Sequence, residues 1–249
     1  LMHDDIMDEA PLRRGQNTVH EKWNQNIAIL SGDVMMVKAY DALLTLPDSV
    51  FKQAVQVFNI CSREVCEGQQ FDMNFETRTD VSPDEYLLMI KLKTAVLLGF
   101  SLELGAIVGG ASSFNRSLLR DFGTLAGIGF QLKDDLLDVF GDQAKVGKQI
   151  GGDIISNKKT YLLITALRKA KGADLASLNE WMVKEDFDIA EKVAAVTDLY
   201  LKLGVVEDTE ALIQSYFSQA FEHLDRLELS EDKKEGLRSF TNFLINRDH

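Results

Sequence analysis

The amino-acid sequence predicts an all-α protein, a single-domain bundle of roughly ten helices around a central cavity. Three observations carry that expectation. Proline, which breaks helix interiors, occurs only at Pro11, Pro47 and Pro83 in 249 residues. Apolar side chains recur at three- and four-residue spacing along most of the chain, the mark of helices that bury one face. No stretch shows the strict alternation of a half-buried strand.

The elements follow in chain order. Asp4-Asp5-Ile6-Met7-Asp8 places acidic residues on a helical spacing at the very start. From Ile27 to Leu46, the residues Ile27, Leu30, Val34, Val37 and Leu44 keep close to a helical period, and Pro47 follows the end. Ser49 to about Phe71 is the next helix. Thr79 to Pro83 is a polar break, with Ser82 as N-cap of a helix that starts at Pro83 and runs towards Gly109 and Gly110. Asn115 opens another helix, which ends near Gly141. Asp142 to Thr160 holds Gly147, Gly151 and Gly152 among Lys145, Lys148, Lys158 and Lys159, a flexible basic loop. Helices resume at Tyr161. Gly204 ends one, and Ser230 caps the last, whose Leu237, Phe240 and Leu244 form one stripe.

Charge narrows the function classes. The formal net charge is −12, with no basic stripe to offset it, which disfavours nucleic acid and anionic lipid as partners. Cys61 and Cys66 lie five apart on one predicted helix, the arrangement of two reduced, buried thiols in a cytoplasmic protein. The apolar stretch from Ala95 to Phe114 is broken by four glycines and Glu103, and reads as a buried helix of a bundle, without integral membrane association. Charged chemistry begins at Asp4 with almost nothing before it, which predicts further N-terminal residues, and helices, ahead of Leu1.

The decisive pattern occurs twice. Asp4-Asp5-Ile6-Met7-Asp8 and Asp134-Asp135-Leu136-Leu137-Asp138 both read DDxxD. On a helix the first and last aspartates share a face one turn apart, and the middle one lies about 100° round. Three aspartates on a helix are most often a solvated face. Here they sit among Ile6, Met7, Leu136, Leu137, Val139 and Phe140, which argues for a site turned inward. Carboxylate oxygens at this spacing suit Mg²⁺, which binds a few carboxylates together with phosphate oxygens and water.

With these residues in view, the chain resembles the trans-isoprenyl diphosphate synthases, the polyprenyl synthetase family that includes farnesyl and geranylgeranyl diphosphate synthases. His3-Asp4-Asp5-Ile6-Met7-Asp8 followed by Leu12-Arg13-Arg14-Gly15 looks like their first aspartate-rich motif, and Phe130 to Asp138 like their second. Gly68-Gln69-Gln70-Phe71-Asp72, Lys93-Thr94, Gly147-Lys148, Gly152-Asp153 and Asn157-Lys158 match further motifs in order. The resemblance covers residues 1 to about 165. It implies the isoprenoid synthase fold and a homodimer. The implied reaction is loss of pyrophosphate from an allylic diphosphate (dimethylallyl, geranyl or farnesyl), attack on the allylic cation by isopentenyl diphosphate, and loss of a proton. It implies Asp4, Asp8 and Asp134 as ligands of a cluster of three Mg²⁺ ions, replaceable by Mn²⁺, with Asp5, Asp72, Asp135 and Asp138 holding waters around them. Arg13 and Arg14 bind diphosphate oxygens. Lys148 and Lys158 bind the allylic diphosphate, although either lysine alone would pass for a solvated loop side chain. Lys93, Thr94 and Gln131 stabilise the cation, and Lys93 also touches the leaving group.

Two departures accompany the resemblance. The Gly-Lys-x-x-Arg motif for isopentenyl diphosphate is missing, and the residues that set product length in the family precede residue 1. The first motif lacks the two-residue insertion of bacterial farnesyl synthases, which favours a C15–C20 product. A class I terpene cyclase shares the fold and one DDxxD, but its second metal motif is of Asn/Ser/Glu type. A silent subunit of a heteromeric synthase tends to lose aspartates, and all six are present here.

Overall fold

The computed structural model describes residues 1–141 and 151–247. They are helical almost throughout, as expected, and divide into two compact units, residues 1–60 and 61–249.

The first unit begins with α1 (Met2–Met7), a two-stranded ribbon of β1 (Leu12–Arg13) and β2 (Gln16–Asn17), and α2 (Val19–Lys22). The ribbon corrects the expectation of a chain without strands. Leu12 pairs with Asn17 and Arg13 with Gln16, leaving Arg14 and Gly15 as a two-residue turn. Both have positive φ, +52° and +73°, the geometry that matches the twist of a tight hairpin. Strands of two residues are too short for alternation to register in sequence. Next comes α3 (Gln25–Leu43), capped by Asn24, whose Oδ1 accepts from the Ile27 N–H at 2.9 Å. His3 of α1 reaches the Ile29 carbonyl at 3.0 Å, passing over Gly32. Much of α3 stays outside the core: Leu30, Val34, Met35 and Val37 are all exposed, as is its C-cap Leu44. Helix α4 (Asp48–Glu76) starts in this unit and crosses into the next. It runs a turn beyond Phe71 because Phe75, fully buried, continues its apolar face.

The second unit is organised around α7 (Ser113–Phe140), which buries residues on most of its circumference. Against it lies a continuous helical rod made of α5 (Pro83–Ile90), a π-helical segment (Lys91–Ala95) and α6 (Val96–Val108). Ser82 caps α5 as expected, within a full capping box in which Ser82 and Glu85 bond each other's backbone N–H. Ser112, not Asn115, caps α7; Asn115 sits in the first turn, and its side chain accepts from the Glu228 N–H at 3.2 Å. Then follow α8 (Gly152–Ile155), α9 (Tyr161–Lys169), α10 (Ala173–Val183), α11 (Ile189–Lys202), α12 (Val205–Asp225) and α13 (Glu231–Asn246). Within the expected loop, Gly152–Ile155 forms a single helical turn; residues 142–150, Lys145 and Lys148 among them, lie outside the described residues. The stripe on α13 also differs. Leu237 and Leu244 face inward with Lys234 and Thr241, whereas Phe240 is exposed.

The core of this unit joins Phe75, Tyr86, Ile90, Leu132, Leu136, Phe217 and Leu224. Truncating one such leucine to alanine costs about 2–5 kcal/mol. Cys61 is buried here and Cys66 is exposed, so only one of the two thiols is shielded as the sequence suggested; burial pushes the Cys61 thiol up to about 11. No described helix is long and apolar enough to cross a membrane.

Candidate active site

In the first unit Asp4 and Asp5 lie in the first turn of α1, and Asp8 is its C-cap. Asp5 is buried, at 5% exposure. The hairpin returns Arg13 onto it: Arg13 Nε donates to Asp5 Oδ1 at 2.7 Å, and Nη2 reaches Asp4 Oδ2 at 3.3 Å. The hydrogen bond to Asp5 holds the Arg13 guanidinium above its ordinary range. Arg14, at the turn, is exposed. The expected pair of diphosphate-binding arginines is therefore divided between one side chain engaged with the acidic motif and one facing solvent.

The second unit gathers most of the remaining predicted residues into one network. Gly68 on α4 makes this possible: a Cβ there would lie 2.2 Å from the Lys93 backbone nitrogen, so only glycine lets α4 touch the π-helical segment. One turn on, Asp72 receives the Lys93 ammonium at 2.6 Å. On the other side, Gly127 of α7 packs against Ala95, where an added Cβ would come within 2.7 Å of its Cα. That approach sets Gln131 beside Thr94. The Thr94 hydroxyl donates to Gln131 Oε1 at 3.1 Å, and Gln131 Nε2 donates to Asp135 Oδ1 at 3.1 Å. With its proton spent on Gln131, the Thr94 oxygen keeps its lone pairs for a positive partner. A π-helical segment inserts an extra residue into a turn and often marks a functional site. Here it carries both Lys93 and Thr94.

The second motif lies along α7. Asp135 is buried at 5% exposure and accepts the Tyr86 hydroxyl as well as Gln131. Burial, then the negative charge of Asp153, push its carboxyl up to about 7, against the hydrogen bonds that favour the ionised form. Burial also keeps the Tyr86 phenol well above its usual range, so Tyr86 remains a donor. Asp138 accepts the Asp153 N–H at 2.9 Å and anchors the start of α8. Asp134 is paired with Arg247, whose guanidinium lies 4.0 Å from the centre of the Phe130 ring. Lys158 is exposed just beyond α8, its N–H donating to the Asp153 carbonyl at 2.9 Å. Lys148 lies outside the described residues.

Sequence reasoning missed Tyr86 and Arg247. The only trace of Tyr86 was a hydroxyl inside the apolar stripe of α5, and Arg247 stands far from any motif. Among the described residues no group of three or more His, Cys, Asp or Glu side chains already converges on a metal position. The donor set still fits Mg²⁺: hard carboxylate oxygens, some exposed, and a buried carboxylate whose proton affinity is raised by burial and then by the negative charge of Asp153, which a cation would offset. Mg²⁺ keeps waters and phosphate oxygens in its shell and needs no complete protein cage.

Known proteins resemble this arrangement along its whole length. Residues 1–200 match the family model for polyprenyl synthetase. The chain is 38% identical over 250 residues to the short chain isoprenyl diphosphate synthase of Methanothermobacter thermautotrophicus, across 100% of this chain and 76% of that protein. A crystal structure of a geranylgeranyl pyrophosphate synthase superposes with a TM-score of 0.94 at 42% identity, covering 100% of this chain and 77% of the other. The geranylgeranyl pyrophosphate synthase of Corynebacterium glutamicum, complexed with isoprenyl diphosphate and magnesium, superposes with a TM-score of 0.89 at 29% identity, covering 99% and 74% respectively.

Proposed function

The chain belongs to the polyprenyl synthetase family, and from that premise we propose the reaction and the role of each residue. The protein is a trans-prenyltransferase. It condenses isopentenyl diphosphate with an allylic diphosphate, releases pyrophosphate, and makes an (E)-prenyl diphosphate of C15–C20. The observation that carries this is the Asp72–Lys93 and Thr94–Gln131–Asp135 network, which places a cation and a hydroxyl on the π-helical segment and an amide on the facing helix α7.

The roles follow from this chemistry. The leaving pyrophosphate carries about three negative charges, so it must be met by positive groups that are already oriented. Lys93, held by Asp72, and the exposed Lys158 serve the allylic diphosphate, with Lys148 as a further ligand. Arg13 and Arg14 serve the diphosphates from the first unit. The Thr94 oxygen faces the allylic cation; Gln131, between Thr94 and Asp135, fixes its direction. Mg²⁺, when bound, neutralises diphosphate charge; Asp4, Asp8 and Asp134 would hold it, with Asp5, Asp72, Asp135 and Asp138 around them. We read the whole chain as one catalytic domain because the family match runs through both units. The exposed apolar side chains of α3 support a homodimer, and a cytoplasmic enzyme is the setting that fits two free thiols.

Labelled isopentenyl diphosphate incubated with C5, C10 and C15 allylic primers tests the reading. Chain-lengthened diphosphates of C15–C20 are expected. Cyclic hydrocarbon without consumption of isopentenyl diphosphate would identify a cyclase instead. Sedimentation at micromolar concentration tests the dimer, against which a fully active monomer would count.

A further inference from the structure

Lys192 on α11 has no part in the roles above, yet it is 1% exposed. Burying an ammonium group is expensive unless oxygen atoms replace its water. Here they are neutral. The Nζ donates to Asn157 Oδ1 at 2.8 Å and to the Ile155 carbonyl at 3.2 Å, and it lies 4.2 Å from the centre of the Phe187 ring. Desolvation accordingly lowers its pKa. A methionine would fill this space without the desolvation cost, so the useful property of the lysine is directional.

What it directs is Asn157. This residue has φ +54°, a left-handed conformation that costs roughly 1 kcal/mol or more in a residue other than glycine. Its side chain is held at both ends, because Nδ2 donates to the Met182 carbonyl at 3.1 Å while Oδ1 accepts from Lys192. Its carbonyl also accepts from Lys159 at 3.3 Å. The next residue is Lys158. From there the backbone is tied back to the second acidic motif, since the Lys158 N–H bonds the Asp153 carbonyl and the Asp153 N–H bonds Asp138. Asp138 fixes one end of this path, and Lys192 with Asn157 fixes the other.

We propose that Lys192 is a positioning residue for the reaction, clamping Asn157 so that the backbone presents Lys158 to the allylic diphosphate. The proposal rests on the reading of Lys158 as a ligand of that diphosphate. Displacing a charged ligand by about an ångström weakens its use without deleting it.

The test is steady-state kinetics of K192M, N157G and K158M, and of K192M combined with K158M. N157G keeps the left-handed backbone and deletes only the side chain. K192M and N157G should each raise KM for the allylic diphosphate about tenfold while KM for isopentenyl diphosphate stays within about twofold. In the K158M background, K192M should add less than about twofold. Amide exchange at Lys158 and Thr160 should quicken in K192M in the absence of any ligand. If K192M does not fold, N157G carries the test. An unchanged allylic KM in N157G, or a K192M effect that persists undiminished beside K158M, overturns the proposal alone. A K158M enzyme with wild-type KM overturns the reading of Lys158, and the proposal with it.

Discussion

The same five-residue motif occupies two different environments in this chain. In both, the middle aspartate is the buried one: Asp5 and Asp135 are each 5% exposed, as the roughly 100° offset of the second position on a helix requires. Their partners differ in kind. Asp5 meets a guanidinium, Arg13, brought back by a hairpin only two residues long on each side. Asp135 meets neutral donors, Tyr86 and Gln131, with Asp153 near enough to disfavour its charge. One motif is compensated by a built-in cation. In the other, burial and then the charge of Asp153 favour the protonated carboxyl, within reach of the side chains read as handling the allylic cation. The spacing of aspartates determines which side chain turns inward; the surroundings determine what that side chain does.

The largest expected effect tests whether the two motifs serve one chemistry. D4A and D134A should each lower kcat at least about 10²–10³-fold, the scale of losing one well-placed electrostatic stabiliser, and excess EDTA should abolish turnover of the wild type. Activity retained in EDTA would remove the metal from the mechanism. A silent D4A beside an inactive D134A would break the equivalence of the motifs.

A smaller effect separates the buried aspartates by stability. D5N removes the charge that anchors Arg13 and should cost about 1–3 kcal/mol at neutral pH, measured by urea unfolding. Asp135 should behave in the opposite sense. Its carboxyl rises from 3.8 to about 7 on folding, so the folded protein binds that proton more tightly. The stability this contributes is complete below the ordinary carboxylate range and is lost as pH rises to about 7, with no further change above. D135N cannot ionise and escapes the loss. Unfolding of both proteins in EDTA at pH 5 and pH 8 should therefore show wild type losing ground to D135N at the higher pH. A difference independent of pH would mean that Asp135 is not held protonated by its surroundings.

Much of this was legible in the sequence because it depends on local spacing. Scarce proline and three- and four-residue apolar periodicity gave the helices; Ser82-Pro83 gave a start that the structure reproduces to the residue. Gly68, Asp72, Lys93, Thr94 and Gln131 could be singled out by resemblance, but not the contacts that unite them. Those depend on helix–helix approach, decided by whether Gly68 and Gly127 face another backbone. The π-helical turn at Lys91–Ala95 follows from packing on both sides and has no periodic signature of its own. Tyr86 and Arg247 act on residues 49 and 113 positions away, and no window of sequence spans such distances.

The smallest predicted effect concerns Arg247, which does for the second motif part of what Arg13 does for the first. Its guanidinium engages Asp134, stacks on Phe130, and reaches the Phe130 carbonyl at 3.4 Å. The pair is partly open to water, with the Asp134 side chain 43% exposed and that of Arg247 12% exposed. Such a pair is worth at most about 1 kcal/mol, because solvent screens it. A divalent cation approaching Asp134 must displace or share that guanidinium, so the two cations oppose each other by the same free energy in either direction. R247A should therefore tighten Mn²⁺ binding to the protein without diphosphate by about fivefold, the equivalent of that ~1 kcal/mol. Electron paramagnetic resonance of free Mn²⁺ during a titration measures this directly. D134A should abolish the gain, since without the carboxylate there is nothing to compete for. An unchanged affinity in R247A would show that Arg247 and the metal use different oxygens of Asp134, and that the second motif, unlike the first, carries no built-in cation of consequence.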